Sequence, residues 1–394
     1  MNYFGRIRLG NLRNYFSLYR IMGLFIGYKS YCMYHHNSTE QIISYRTIKE
    51  DGSENTLVED SGLLGDKFRP TFLVLSGLGQ TLYGAITRSS PPGYQNEIIK
   101  LPDGGQITLQ SIIHPNGENK GVVIVVPGIT GDGYDNYVVN TVQKSIENGY
   151  STYIINHRGL CNTPLLTPLT YHGGSSFDTK AALEHIKNKH PSQPIYGVGY
   201  SLGSNILGNY IGEQGDKCIL SGAVLVCCPF RTDVASHKVE NEHFGLISKW
   251  LAWSCKKVIQ KHEEMYPLFI QEHGLELSSL LKDIRTLKDF DDKVTAKQFG
   301  YKCVMDYYKQ CSLVPKMKNM KVKTLFISAL DDPFFGPDVI PHSEFETNEN
   351  LYLIATSGGG HVGFYDSVLS NDQWHNKPAM RFFNYLHAAD RFLI

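Results

Sequence analysis

Ile195-Tyr196-Gly197-Val198-Gly199-Tyr200-Ser201-Leu202-Gly203 is the stretch on which the reading of this chain turns. Ile195 to Val198 is a short apolar run, and Asn205 to Ile211 beyond it has a helical pattern. Between them lies G-x-S-x-G, Gly199 to Gly203. A serine on a sharp strand-to-helix turn needs neighbours two places away that lack side chains, so that the backbone can fold back on itself. Three fixed positions are weak alone, and the strand before and helix after give them weight. A dinucleotide-binding G-x-G-x-x-G fails, because position 202 is Leu202.

Working outward, other apolar runs repeat the strand pattern. Gly121 to Val126 (GVVIVV) is continuous and β-branched, bounded by Asn119-Lys120 and Pro127-Gly128, as expected of a strand buried on both faces. Tyr153–Asn156, Ile195–Gly199, Ala223–Cys228, Thr324–Ser328 and Asn350–Ala355 follow, with helical stretches such as Tyr137–Asn148 and Phe177–Lys189 between several of them. Alternation of this kind predicts an α/β fold, a mostly parallel central sheet with helices on both faces. Leu101-Pro102-Asp103-Gly104-Gly105 reads as a hairpin turn. The alternation breaks between Phe230 and Lys321, where only helical patterns occur, among them Phe244 to Met265. The simplest reading is a helical cap over the carboxyl ends of the strands, where open α/β sheets bind ligands. Composition and pattern divide the chain into an N-terminal segment (1–60), an extension (61–118), a first core half (119–230), the cap (231–320) and a second core half (321–394).

A nucleophilic serine needs a base, and the base needs an acid to orient it. On an elbow of this type both come from later strand ends, acid first. Thr324 to Ser328 leads into Ala329-Leu330-Asp331-Asp332-Pro333-Phe334. Asn350 to Ala355 leads through Ser357-Gly358-Gly359-Gly360 to His361. Ser201, Asp332 and His361 are therefore the catalytic candidates. Asp332 is preferred to Asp331 because it directly precedes Pro333; Asp331 is left to serve the turn. Two backbone N–H groups are expected at the developing oxyanion, those of Leu202 and of Ile129 in the loop Pro127 to Asp132. His361 to Asp366 also spells H-x-x-x-x-D, an acyltransferase spacing read here as incidental. Asn156-His157-Arg158-Gly159 is read as a structural turn in which Arg158 pairs an acid.

Composition removes other classes. The 394 residues carry 38 Lys+Arg against 38 Asp+Glu, so no surplus of positive charge argues for nucleic acid. No uncharged apolar run reaches the roughly 18 residues of a membrane span. The eight cysteines form no C-x-x-C pair and no H-E-x-x-H occurs, so no metal-ligand spacing is visible; Cys227 and Cys228 read as small buried hydrophobes of a reducing, intracellular compartment. The first 39 residues lack Asp and Glu. Leu12, Tyr15, Phe16, Tyr19, Met22 and Ile26 share one helical face, with Arg13, Ser17 and Arg20 opposite. A membrane-surface helix, an organelle presequence and a disordered basic leader compete. A spanning anchor is disfavoured by Arg20 and Lys29, each costing about 2.5–3.5 kcal/mol at mid-bilayer. Membrane-surface association is the reading adopted.

From about Phe68 onward the chain resembles the α/β-hydrolase fold and, within it, the AB hydrolase-4 family of bacterial short-chain esterases, plant embryogenesis-associated proteins and animal phospholipases. The resemblance rests on Phe68-Arg69-Pro70 with Gly77-Leu78-Gly79-Gln80-Thr81, on Leu101 to Gly105, Asn156 to Gly159 and Gly199 to Gly203. It continues in Phe290-Asp291, Phe299-Gly300-Tyr301 and Asp306-Tyr307-Tyr308, then in Asp331 to Phe334 and Gly360 to Phe364. A leucine, Leu78, stands where the family usually has histidine. The resemblance implies Ser201, Asp332 and His361 at the triad positions and hydrolysis of lipid or short-chain acyl esters without cofactor. A transacylase using the same nucleophile and a non-catalytic binding module are the alternatives.

Overall fold

The computed structural model describes residues 41–71, 74–115, 120–266, 277–367 and 371–391, with Gly23 and Gly27. The face proposed for Leu12 to Ile26 lies outside them. Nine strands form one sheet: β1 (Gln41–Tyr45), β2 (Gln95–Lys100), β3 (Gln106–Ile112), β4 (Val122–Val126), β5 (Ser151–Asn156), β6 (Ile195–Tyr200), β7 (Gly222–Val226), β8 (Thr324–Ala329) and β9 (Leu351–Thr356). Their order is β1-β9-β8-β7-β6-β4-β5-β3-β2. The six from β5 to β9 are parallel; β3 runs antiparallel to β5, β2 to β3, and β1 to β9.

Burial on both faces explains the continuous apolar runs. Along β4, Val122, Ile124 and Val126 join the core on one face of the sheet, Val123 and Val125 that on the other, and all five are inaccessible to solvent. Eight helices matter for the site: α1 (Gly77–Ile86), α2 (Asn136–Glu147), α3 (Phe177–Lys189), α4 (Leu202–Gln214), α5 (Thr232–Asn241), α6 (Leu246–Lys261), α7 (Val304–Cys311) and α8 (Asn376–Arg391). The first face is covered by α3 and α4 through Leu183, Ile186, Leu207 and Ile211. The second is covered by α2 and α8 through Val138, Val142, Phe382 and Phe383.

The strand expectations hold to within two residues, as do the helices expected at Tyr137–Asn148 and Phe177–Lys189, whereas the helix after Ser201 runs three residues beyond Asn205–Ile211 at each end. The Leu101–Gly105 turn joins β2 to β3, with Leu101 N–H donating to Gly105 O at 2.8 Å and Lys100 opposite Gln106. Between β7 and β8 the described residues contain no strand. There α6 and the residues around Phe290 close a small core of their own from Ala252, Cys255, Ile259, Ile284 and Val294. The N-terminal boundary differs from the expectation. Gln41–Tyr45 lies at the sheet edge, and Leu57 and Val58 are buried in the second face, so residues 41–60 pack with the sheet. An edge strand with only partial burial lacks the alternation that would reveal it.

Candidate active site

Parallel strands end on one side of the sheet, and four of those ends build the site. β6 delivers Ser201 into α4 through a backbone at φ 51°, ψ −119°. Glycines make this turn possible. A Cβ at Gly203 would lie 2.2 Å from the carbonyl oxygens of both Val126 and Pro127, and one at Gly199 would lie 2.6 Å from Ser204 Cα. β8 leads to Asp332, β9 to His361, and β4 to the loop containing Ile129.

The three predicted side chains meet. His361 Nε2 lies 2.8 Å from Ser201 Oγ, and His361 Nδ1 lies 2.8 Å from Asp332 Oδ2. With the proton on Nδ1, the ring donates to the carboxylate and Nε2 accepts from the serine hydroxyl. Asp332 Oδ1 accepts the Phe334 and Phe335 N–H groups at 2.7 and 3.3 Å, so both carboxylate oxygens are committed. The imidazole stacks on Phe334 at 4.0 Å between centroids and meets the edge of Phe335 at 4.9 Å. Side-chain exposures of 8% for His361 and 4% for Asp332 put their contact in a water-poor setting, where it is worth more than on the surface.

Asp331, expected to serve its own turn, reaches the glycine approach to His361 instead, and Asp332 itself accepts the N–H groups of the turn. Asp331 Oδ1 accepts the Gly360 N–H at 2.9 Å, and burial lifts its carboxyl to about 6. Asp331 and Asp332 thus divide the work, one shaping the approach to His361 and the other touching its ring. Cys227, buried as expected, also borders this corner. Its Sγ accepts the Val362 N–H at 3.3 Å, and burial together with the charge of Asp332 pushes the thiol well above its ordinary range. Cys227, Asp332 and His361 could present three ligand atoms within 4.8 Å to a metal ion. A protonated thiol and a ring nitrogen already bonded to the carboxylate fit a hydrogen-bond relay better than a coordination shell.

In the Pro127 to Asp132 loop, Gly128 N–H donates to Tyr137 Oη at 3.0 Å and Thr130 N–H to Tyr171 Oη at 2.8 Å. The Ile129 amide between them has no acceptor among the described residues. Leu202 is the first residue of α4, where helix geometry leaves backbone N–H groups without internal partners. Ile129 and Leu202 line one apolar cleft together with Ser201. Leu251, Ile259 and Phe290 from the segment between β7 and β8 line it as well.

Several supports escaped the sequence reading. His361 N–H donates to Thr81 Oγ1 on α1 at 2.8 Å. His157, unassigned there beyond a turn, stacks on Tyr171 at 4.2 Å and places Nε2 2.9 Å from Pro127 O, so it braces the loop of Ile129. Burial lowers its pKa, which suits a neutral ring donating to that carbonyl. Arg158 pairs two acids, Asp103 at 2.7 Å and Asp178 at 2.6 Å. The H-x-x-x-x-D aspartate is engaged elsewhere, Asp366 pairing with Lys377 at 2.5 Å.

Fold and relatives together define a serine ester hydrolase. The α/β-hydrolase fold family matches residues 121–368. Human Phospholipase ABHD3 is 28% identical over 371 residues, covering 92% of this chain and 88% of its own length. Embryogenesis-associated protein EMB8 of Picea glauca is 30% identical over 328 residues, covering 79% and 70%. Among solved structures, an esterase of Pyrococcus furiosus shares the fold at a TM-score of 0.50 and 14% identity, over 75% of this chain and 98% of that one. The chain belongs to the α/β-hydrolase fold family and, within it, to the AB hydrolase-4 group.

Proposed function

We propose that the protein cleaves carboxylic esters of lipids, phospholipids or acylglycerols, or short-chain acyl esters, by double displacement at Ser201. The observation that carries this reading is the unbroken chain Ser201–His361–Asp332, with 2.8 Å at each step. His361 Nε2 takes the hydroxyl proton as Ser201 Oγ bonds to the acyl carbon. The carbonyl electron pair moves onto oxygen, opposite the N–H groups of Ile129 and Leu202. When the carbonyl reforms, the ester C–O bond breaks, and His361 gives its proton to the departing alcohol. Water then attacks the acyl-serine with His361 again as base, and the acid leaves. Asp332 holds the ring tautomer throughout. The proton and electron balance closes without a cofactor.

The apolar cleft supports an acyl chain as the group bound beside Ser201. Residues 231–320 act in this reading as a cap, since Thr232, Leu251 and Ile259 line the same cleft as Ser201. Seven free cysteines among the described residues suit an intracellular, reducing setting. The test is product analysis with p-nitrophenyl butyrate, monoacylglycerol and phosphatidylcholine, each with and without glycerol as acceptor. Free acid as the main product supports hydrolysis. Predominant transfer to glycerol would make the enzyme a transacylase, and no turnover of any ester would leave a binding module.

A further inference from the structure

A second opening reaches Ser201 and His361, lined by residues of both α1 and α6; Thr81, Ala85, Arg88 and Trp250 are among its lining residues. The two helices that frame it turn apolar side chains to solvent. On α1 these are Leu78, Leu82 and Ile86, at i, i+4 and i+8, with Ile86 76% exposed. On α6 they are Leu246, Trp250 and Trp253, at i, i+4 and i+7, and all three are at least half exposed. Phe244, just before α6, is 92% exposed. It stands on two successive non-glycine residues in left-handed backbone, His243 at φ 50° and Phe244 at φ 58°. Bulky residues adopt that region at a cost, so the turn holds an aromatic ring out in water against its preference. Isolated exposed apolar residues need no explanation; seven on, or directly before, two helices that line one opening do.

Charge narrows the partner. Neither α1 nor α6 contains an Asp or Glu. Arg88, Lys249 and Lys257 are exposed beside the apolar side chains, and Lys257 Nζ sits 3.6 Å over the Trp253 ring. Asp135 is the one carboxylate among the residues lining the opening, and it is half-buried. Apolar side chains, tryptophans and cations together match the layered chemistry of a phospholipid surface: acyl chains, carbonyl region, phosphates. A second copy of the chain would bring like charges together on this face. A membrane crossing is not the explanation, since no helix among the described residues is long and apolar enough to make one.

We propose that the rim formed by α1, Phe244 and α6 docks the protein on a phospholipid surface, with the opening toward Ser201 and His361 facing the lipid. This rests on the lipid-ester reading of the site and gives it a delivery route: an ester lipid could pass from the bilayer to Ser201 without crossing water.

The three tryptophans of the chain provide the assay. Trp250 and Trp253 stand on the rim, while Trp374 is 1% exposed inside the core and serves as an internal reference. The full-length protein is mixed with vesicles of phosphatidylcholine and phosphatidylserine, with and without brominated phosphatidylcholine, and tryptophan emission is read. Docking predicts a blue shift and bromine quenching, which Trp253→Phe reduces. The double variant Leu82→Ser/Ile86→Ser should partition roughly tenfold or more weakly, from the apolar area withdrawn from lipid. Lys249→Ala/Lys257→Ala should weaken binding most at low salt. Both double variants should hydrolyse p-nitrophenyl butyrate like the parent, which shows that they fold. Vesicle binding without quenching would place the contact on another segment and overturn the proposal. So would an emission shift that follows protein concentration without vesicles, which would mark a protein–protein face. Quenching that persists while no ester is hydrolysed supports the docking and sinks the hydrolase reading instead.

Discussion

Ser201 sits at φ 51°, ψ −119°, a conformation that a residue with a side chain keeps only when its surroundings hold it there. What holds it is close packing: Gly203 lies so near the end of β4 that even a methyl group would meet two carbonyl oxygens. The paired aspartates show the same division between chemistry and support. Asp332→Asn keeps the size of the side chain but cannot hold the His361 tautomer as the carboxylate does, and kcat should fall roughly 10⁴-fold. Asp331→Asn leaves the ring contact intact and should cost no more than about tenfold, through the Gly360 turn. Measured side by side on a soluble ester, equal losses, or a reversed order, would reassign the acid. Ser201, Asp332 and His361 were legible because each follows an apolar strand run and lies beside glycine or proline that marks its turn. Thr81 was not: its hydroxyl meets the His361 amide 280 residues away, and no local pattern encodes so remote a contact. His157 was hidden for the same reason, since its partner Pro127 O belongs to a different strand end.

At the level of elements, the runs that read as buried strands became β4 to β9, because side chains on both faces of each had to be apolar. The antiparallel edge was less visible. β1 borrows its register from β9, so its identity depends on a strand some 300 residues later. Arg158 ties three such elements together, joining the end of β5 to Asp103 in the β2–β3 turn and to Asp178 in the first turn of α3. The guanidinium is 4% exposed and grips Asp178 through two nitrogens. Arg158→Met should therefore cost about 2–3 kcal/mol in urea unfolding, somewhat below a fully buried pair because both carboxylates keep contact with water. A loss under about 0.5 kcal/mol would mean that the hairpin and α3 hold their places without this cation.

Across the whole molecule, the cap-like segment and the sheet share the cleft, and their junction contains a buried acid. Asp291 accepts hydrogen bonds from Thr295 and Tyr308 at 2.9 Å each, yet burial, aided by the charge of Glu240, lifts its carboxyl to about 7 from an ordinary 3.8. The folded chain thus keeps a proton at this site that the unfolded chain gives up. Between about pH 4 and 7 the native state binds more protons there, so this group's contribution to stability declines as pH rises through that window. Asp291→Asn has nothing to titrate. Relative to the parent, its unfolding midpoint should improve steadily from pH 5 to pH 7; a constant difference would show that the acid is ionised throughout.

The central claim is that Ser201 is the nucleophile, and active-site labelling with a fluorophosphonate followed by peptide mass spectrometry tests it most directly. The adduct should map to the peptide carrying Ser201, and Ser201→Ala should lose both labelling and ester hydrolysis while its unfolding midpoint stays near that of the parent. Labelling or turnover that survives in a folded Ser201→Ala protein would place the reactive hydroxyl elsewhere and contradict the account.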